Sequence, residues 1–365
     1  LRASDTIARF GGDEFVIMLE HLDLSSEESA SQVEQIGLKI LADLDRPYVL
    51  GELSLRSSAS IGMVLFNDAC DSVDELMKRA DLSMYEAKTA GKNTLRFFDP
   101  QMQRSASERL RLEESIRLGL QRNEFCFYIQ PQYAEETGLL GGEVLVRWQH
   151  PQRGLLAPAA FIPLAERAGL VEELDFCMLR QACAQLARWA QQPALAGLSL
   201  AVNLSARLLY QDDFIRALKE LLDSSGANPQ RLKLELTESL LLNDMTEASA
   251  RMTQLQALGI RFSIDDFGTG YSSMAYLQQL PLDQLKIDQS FVQGLPDAAN
   301  SLAIVRAICA LASSLNLEVI AEGVESEVQR QALLANGCRH YQGYLFGRPL
   351  PLAEFEALAL GAQPA

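Results

Sequence analysis

At 365 residues and 48% hydrophobic content, the chain exceeds one average domain and can fill two units, or one large barrel plus a smaller piece. Its net charge of −16, without any lysine- or arginine-rich run, excludes a DNA or RNA polymer as partner, because sequence-independent binding needs a cationic footprint. Six scattered cysteines without a CxxC pair and three unclustered histidines lack zinc spacing, and the cysteines read as reduced core residues of a cytoplasmic protein.

No apolar run reaches membrane-spanning length, since Arg306 interrupts the best candidate around Leu302 to Leu311. Leu1 begins in mid-pattern, so the chain reads as cut from a longer protein whose upstream part could carry a membrane tether.

Residues 1–99 read as α/β. IARFGGDEFVIML predicts two short strands around a Gly-Gly turn, a hairpin signal. A helix is expected from Glu27 to Leu44, a strand over Leu53 to Val64, an amphipathic helix over Val73 to Lys88 and a last strand over Leu95 to Phe98. Gln103 to Gln121 is a charged helical segment, so residues 100–122 are assigned as a linker.

From Phe125 strands and helices alternate. The expected strands are Phe125–Gln132, Leu139–Trp148, Leu198–Ser205, Leu232–Thr237, Ile260–Asp266, Gln284–Ser290, Glu318–Glu322 and Tyr341–Phe346, with helical runs such as Phe214–Leu222, Glu247–Leu258 and Leu302–Leu315 between the later ones. Eight strands in this pattern predict a (β/α)8 barrel. AEETG is too short for a helix, so the first two strands should form an antiparallel hairpin and the barrel should be irregular.

Chemistry in such a barrel sits at the carboxyl ends of the strands. There the sequence places Glu143, Asn203, Glu235, the pair Asp265–Asp266, Lys286, Glu322 and Gln342. Singly, each has an ordinary explanation as a turn former, a solvated side chain or a helix cap. Jointly, acids and an amide in one register point to oxygen ligation of Mg²⁺ or Mn²⁺ rather than zinc. A pair of such ions would activate water and offset charge on a phosphoryl group.

These motifs carry a family resemblance. The run EVLVRWQHP, FIPLAE, NLS, ELTES, DDFGTGYSS, LKIDQSFV, AEGVE and QGYLFGRPLP, within about residues 108–360, resembles an EAL-family cyclic di-GMP phosphodiesterase. IARFGGDEF and RADLSMYEAKTAGKN resemble the carboxyl-terminal part of a GGDEF-family diguanylate cyclase. The resemblance implies that Glu143, Asn203, Glu235 and Asp265 ligate one metal, that Asp265 and Asp266 hold a second, and that Glu322 is close by. It assigns Lys286 to the attacking water, with Asp266 and Glu322 also in the reaction, Arg147 to a substrate phosphate, and Gln130, Leu145 and Gln342 to the pocket. Glu238 would anchor the loop after Asp266. In the first unit it implies a GTP site at Gly11, Gly12, Asp13, Glu14 and Phe15 in the full-length protein, and an inhibitory site at Arg2 and Asp5. It also implies a homodimer through the second unit. The namesake triplet reads Glu143-Val144-Leu145, with Val in place of Ala. A catalytically silent cyclic di-GMP receptor and a bifunctional cyclase/phosphodiesterase are the competing readings.

Overall fold

The computed structural model describes residues 4–20, 22, 26–50, 53–55, 57–66, 72–99, 112–237, 245–268 and 277–361. The chain divides into two units, 1–112 and 113–365.

In the first unit, β1 (Thr6–Gly11) and β2 (Glu14–Met18) form the antiparallel hairpin that the Gly-Gly signal predicts. Gly12 turns the chain with φ +52°, and Arg9 donates from Nε and Nη2 to the Gly12 carbonyl at 2.9 and 2.6 Å. The expected strand Leu53–Val64 is divided. Its start is β4 (Leu53–Leu55), paired with β3 (Tyr48–Leu50), and its end is β5 (Ile61–Met63), which runs parallel to β6 (Leu95–Phe97). Helices Ser26–Leu44 and Val73–Thr89 flank these strands. Val33, Leu41, Met63 and Leu95 make a small core. At Gly62 a Cβ would lie 2.1 Å from the Ala80 carbonyl oxygen, so only glycine lets helix Val73–Thr89 lie so close to β5.

The helix over 112–121 leads into the second unit, to which it belongs from residue 113 on. Ile116 is fully buried, and Gly119 faces the rings of Phe125 and Trp148. The rest of the expected linker helix, 103–111, lies outside the described residues.

The second unit is a closed barrel. Its strands are β7 (Phe125–Ala134), β8 (Gly138–His150), β10 (Ser199–Asn203), β11 (Leu232–Thr237), β12 (Arg261–Phe267), β13 (Gln284–Ile287), β14 (Glu318–Ala321) and β15 (His340–Gln342). Short strands β9 (Gly154–Leu156) and β16 (Leu350–Pro351) extend β8 and β7. From β8 through β10 to β15 every neighbour is parallel. β7 closes the ring, antiparallel to both β8 and β15. That is the expected irregular (β/α)8 barrel, with the direct β7–β8 turn as its irregularity.

Apolar alternation explains the wall. Leu232, Leu234 and Leu236 point outward under the helices and are fully buried, while Lys233 and Glu235 point into the barrel. Helix Val171–Trp189 covers this wall with Leu174, Leu179, Ala182 and Leu186. Four strands end earlier than expected, β10 at Asn203 and β14 at Ala321 among them. β13 stops at Ile287 because the Asp288 side chain accepts the Ser290 N–H at 3.0 Å and caps helix Gln289–Gln293. β15 stops at Gln342, where Gly343 turns the chain.

Candidate active site

The carboxyl ends of the strands bring the expected residues together. Lys286 on β13 is fully buried, and its Nζ lies 2.7 Å from Glu235, 3.1 Å from Asp265, 3.3 Å from Glu143 and 2.5 Å from Glu322. β8, β11, β12 and the residue just after β14 thus each send one carboxylate to a single ammonium. Asn203, paired with Glu235 in the β10–β11 register, donates from Nδ2 to Glu143 at 2.8 Å. Gln342 donates to the other Glu143 oxygen at 2.6 Å and to Gln130 at 3.1 Å.

The pair Asp265–Asp266 owes its placement to a bulge. Ile264 pairs with Leu285 and Phe267 with Ile287, so β12 spends one residue more than β13 over the same span. Asp266 takes φ +53°, a left-handed conformation tolerated by Asp better than by most residues, and its N–H donates to Asp265 Oδ1 at 2.9 Å. Adjacent residues on a regular strand would face opposite sides. Here the bulge puts ligand atoms of Asp265, Asp266 and Glu322 within 4.8 Å of one another.

Charge governs protonation. Burial opposes an ammonium at Lys286, but its four carboxylate neighbours outweigh it and hold the pKa well above the ordinary lysine value. Burial pushes Glu322 up to about 8, helped by Asp265 and Glu143. Glu235 is also pushed well above the ordinary range, by burial and then by its acidic neighbours, against the pull of Lys286. Burial would raise Glu143 too, but Lys286 and the amide donors of Gln342 and Asn203 bring it below the ordinary value. One lysine does not neutralise this many acids, and protons make up part of the deficit.

The donor set fits a hard divalent cation. All side-chain donors offer oxygen, and the carboxylates outnumber Lys286. Glu235 Oε1 is buried without a hydrogen-bond partner among the described residues. Asn203, whose Nδ2 is used on Glu143, keeps its amide oxygen for a ligand.

Other expected residues lie farther out. Leu145 and Arg147 follow Glu143 on the same face of β8. Arg147 donates to the Val146 carbonyl at 2.8 Å and lies 5.3 Å over the Tyr128 ring. Val144 points into the wall, 3% exposed, beside Val202 and Ile129. Glu238 and Arg2 lie outside the described residues, so neither the loop anchor nor the Arg2–Asp5 pair can be placed. Asp13 and Glu14 belong to the first unit, at the hairpin turn.

A family model of the EAL domain matches residues 113–349, which hold this whole constellation. The chain belongs to the EAL-domain family. A second family model, "Diguanylate cyclase, GGDEF domain", matches residues 1–94. Among relatives of the EAL chain, the bifunctional diguanylate cyclase/cyclic di-GMP phosphodiesterase MucR of Pseudomonas aeruginosa is 39% identical over 358 residues, which is 98% of this chain and 51% of MucR. The cyclic di-GMP phosphodiesterase PdeR of Escherichia coli is 36% identical over 98% of this chain and 53% of its own length. The chain therefore spans about half the length of these curated relatives. A solved structure of the PaMucR phosphodiesterase in complex with c-di-GMP is 40% identical, covers 67% of this chain and 99% of that one, and has a TM-score of 0.64. The EAL enzyme Bd1971, in its cAMP- and cyclic-di-GMP-bound form, is 33% identical with a TM-score of 0.66, covering 80% of this chain and 76% of that one.

Two residues of the EAL barrel escaped the sequence reading. Gln132, two positions after Gln130, is buried and donates to Gln342 Oε1 at 2.8 Å. The i,i+2 spacing in QPQ was its signal. Asp175, on helix Val171–Trp189, accepts the Ser205 backbone N–H at 2.9 Å and so holds the turn after Asn203. An acid inside the apolar run LDFCML was the signal there, and burial pushes its pKa up to about 6.

Proposed function

We propose that the second unit hydrolyses one phosphodiester of cyclic di-GMP to linear pGpG, with two Mg²⁺ or Mn²⁺ ions held at the strand ends. The observation that carries this reading is the convergence of Glu143, Glu235, Asp265 and Glu322 on one buried point with Asn203 and Asp266 alongside. The matched relatives and the cyclic di-GMP-bound neighbours supply the substrate class.

Glu143, Asn203, Glu235 and Asp265 would hold one ion, and Asp265 with Asp266 the other, with Glu322 beside them. Bound there, the ions would polarise the phosphoryl oxygens and acidify water. Water adds to phosphorus, the bond to the ribose 3′ oxygen breaks, and the phosphate stays on the 5′ side, as the product pGpG requires. Lys286, held as an ammonium, donates rather than accepts. In the metal-free barrel it orients the carboxylates and offsets charge, and with the ions bound it would face the attacking water. Arg147, above Tyr128 on the outer part of β8, would meet a substrate phosphate.

Incubation of the purified protein with cyclic di-GMP and Mg²⁺, with products resolved by chromatography, tests the proposal. Appearance of pGpG is expected. Retention of bound, uncleaved cyclic di-GMP would establish the silent receptor instead.

A further inference from the structure

A second polar cavity opens at the other end of the barrel. It has a volume of about 380 Å³ and is lined by the first residues of the strands, among them Ser199 of β10, Lys233 of β11, Arg261 of β12, Glu318 of β14 and His340 of β15. β7 runs the other way and contributes Gln132, near its end. In parallel strands the amino-terminal ends face away from the carboxylate cluster, so this is a separate site. Lys233 and Glu235 share the inner face of β11, with the lysine two residues, or about 7 Å, deeper.

The charge there is opposite to that of the molecule. Arg231, Lys233 and Arg261 face one acid, Glu318, in a chain whose net charge is −16. Lys233 is 9% exposed and forms no ion pair among the described residues. Its Nζ donates to Gln284 Oε1 at 2.8 Å, and Gln284 in turn donates to Glu318 at 3.4 Å. A buried ammonium whose contact is a neutral amide is costly, and a nearby anion would offset that cost. His340, on the same wall, has a buried Nδ1 without a hydrogen-bond partner among the described residues. Two guanidinium groups and an ammonium around a space of small-molecule size match a phosphate group better than a monovalent carboxylate.

We propose that this cavity binds a small phosphate-bearing anion, at a site distinct from the cyclic di-GMP mouth. Its occupant would be read at the mouth through Gln132, which lies two hydrogen bonds from Glu143 by way of Gln342.

The test is calorimetric titration of the metal-free protein with inorganic phosphate. Without metal the mouth is an acidic cluster whose carboxylates engage Lys286 and repel the probe, and R147Q removes the cation assigned there to a substrate phosphate. Wild type should bind one phosphate. R231Q/R261Q should weaken binding at least ~10-fold, through loss of two charge-assisted contacts, and R147Q should leave it unchanged. R261Q alone, at an exposed position, should weaken it in the same direction and guards against a folding defect. No saturable binding by wild type up to about 10 mM would overturn the proposal, as would loss of binding in R147Q with R231Q/R261Q unaffected. The titration uses neither metal nor cyclic di-GMP, so its failure leaves the hydrolase reading untouched.

Discussion

Lys286 Nζ lies 2.7 Å from Glu235 Oε2, and both side chains are fully buried. The lysine acts as the internal counter-ion of an acidic site. Three further carboxylates share it, so the metal-free barrel depends on one cation at its centre.

Lys286→Met should therefore destabilise the metal-free protein by about 3–5 kcal/mol, because it leaves buried carboxylates without a partner. Millimolar Mn²⁺ should recover much of the loss by binding the folded state. Thermal melts with and without metal read this out, and an unchanged metal-free melting temperature would refute the counter-ion role.

Proton linkage gives a second test. Glu235 and Glu322 have folded pKa values above their unfolded ones, that of Glu322 being about 8. Between about pH 4.5 and 8 the folded protein then holds protons that the unfolded chain has released, so these groups lower metal-free stability as pH rises through that window. Divalent metal displaces the same protons. Mn²⁺ binding at pH 7 should release protons, seen by calorimetry in two buffers of different ionisation heat, and Glu322→Gln should reduce the number released. Identical heats in both buffers would contradict this assignment.

Asp265→Asn should abolish hydrolysis of cyclic di-GMP with little change of fold, since it removes the charge assigned to both metals. Turnover within about tenfold of wild type would sink the two-metal reading.

Asp175 offers a test away from the acidic cluster. Asp175→Ala leaves the Ser205 N–H without its acceptor, and should cost about 1–3 kcal/mol of stability. Loosening the turn after Asn203 should also weaken metal binding. Asp175→Asn keeps an acceptor oxygen and should restore most of both. Equal metal affinity in Asp175→Ala and wild type would show that the turn holds without it.

Much of this protein is legible in its residue order because barrel strands announce themselves locally. Alternation along LKLELT separates wall from interior, and the five residues of AEETG leave no room for a crossover helix, so the antiparallel β7–β8 pair follows from length alone. The acids Glu235, Asp265 and Glu322 are readable close to strand ends for the same reason, whereas Glu143 sits in the middle of β8, which runs on past the mouth to His150. What only the folded barrel decides are relations across strands. Whether Asp265 and Asp266 face one site depends on the register of β12 against β13, where the bulge and the left-handed Asp266 overrule strict alternation. The protonation of Lys286 depends on four carboxylates on or just after four other strands, and a pKa sums a field that no sequence window contains. The cationic cavity likewise depends on pairing across strands, since Arg231 and Lys233 come from one stretch but only the parallel β11–β12 register sets Arg261 beside Lys233.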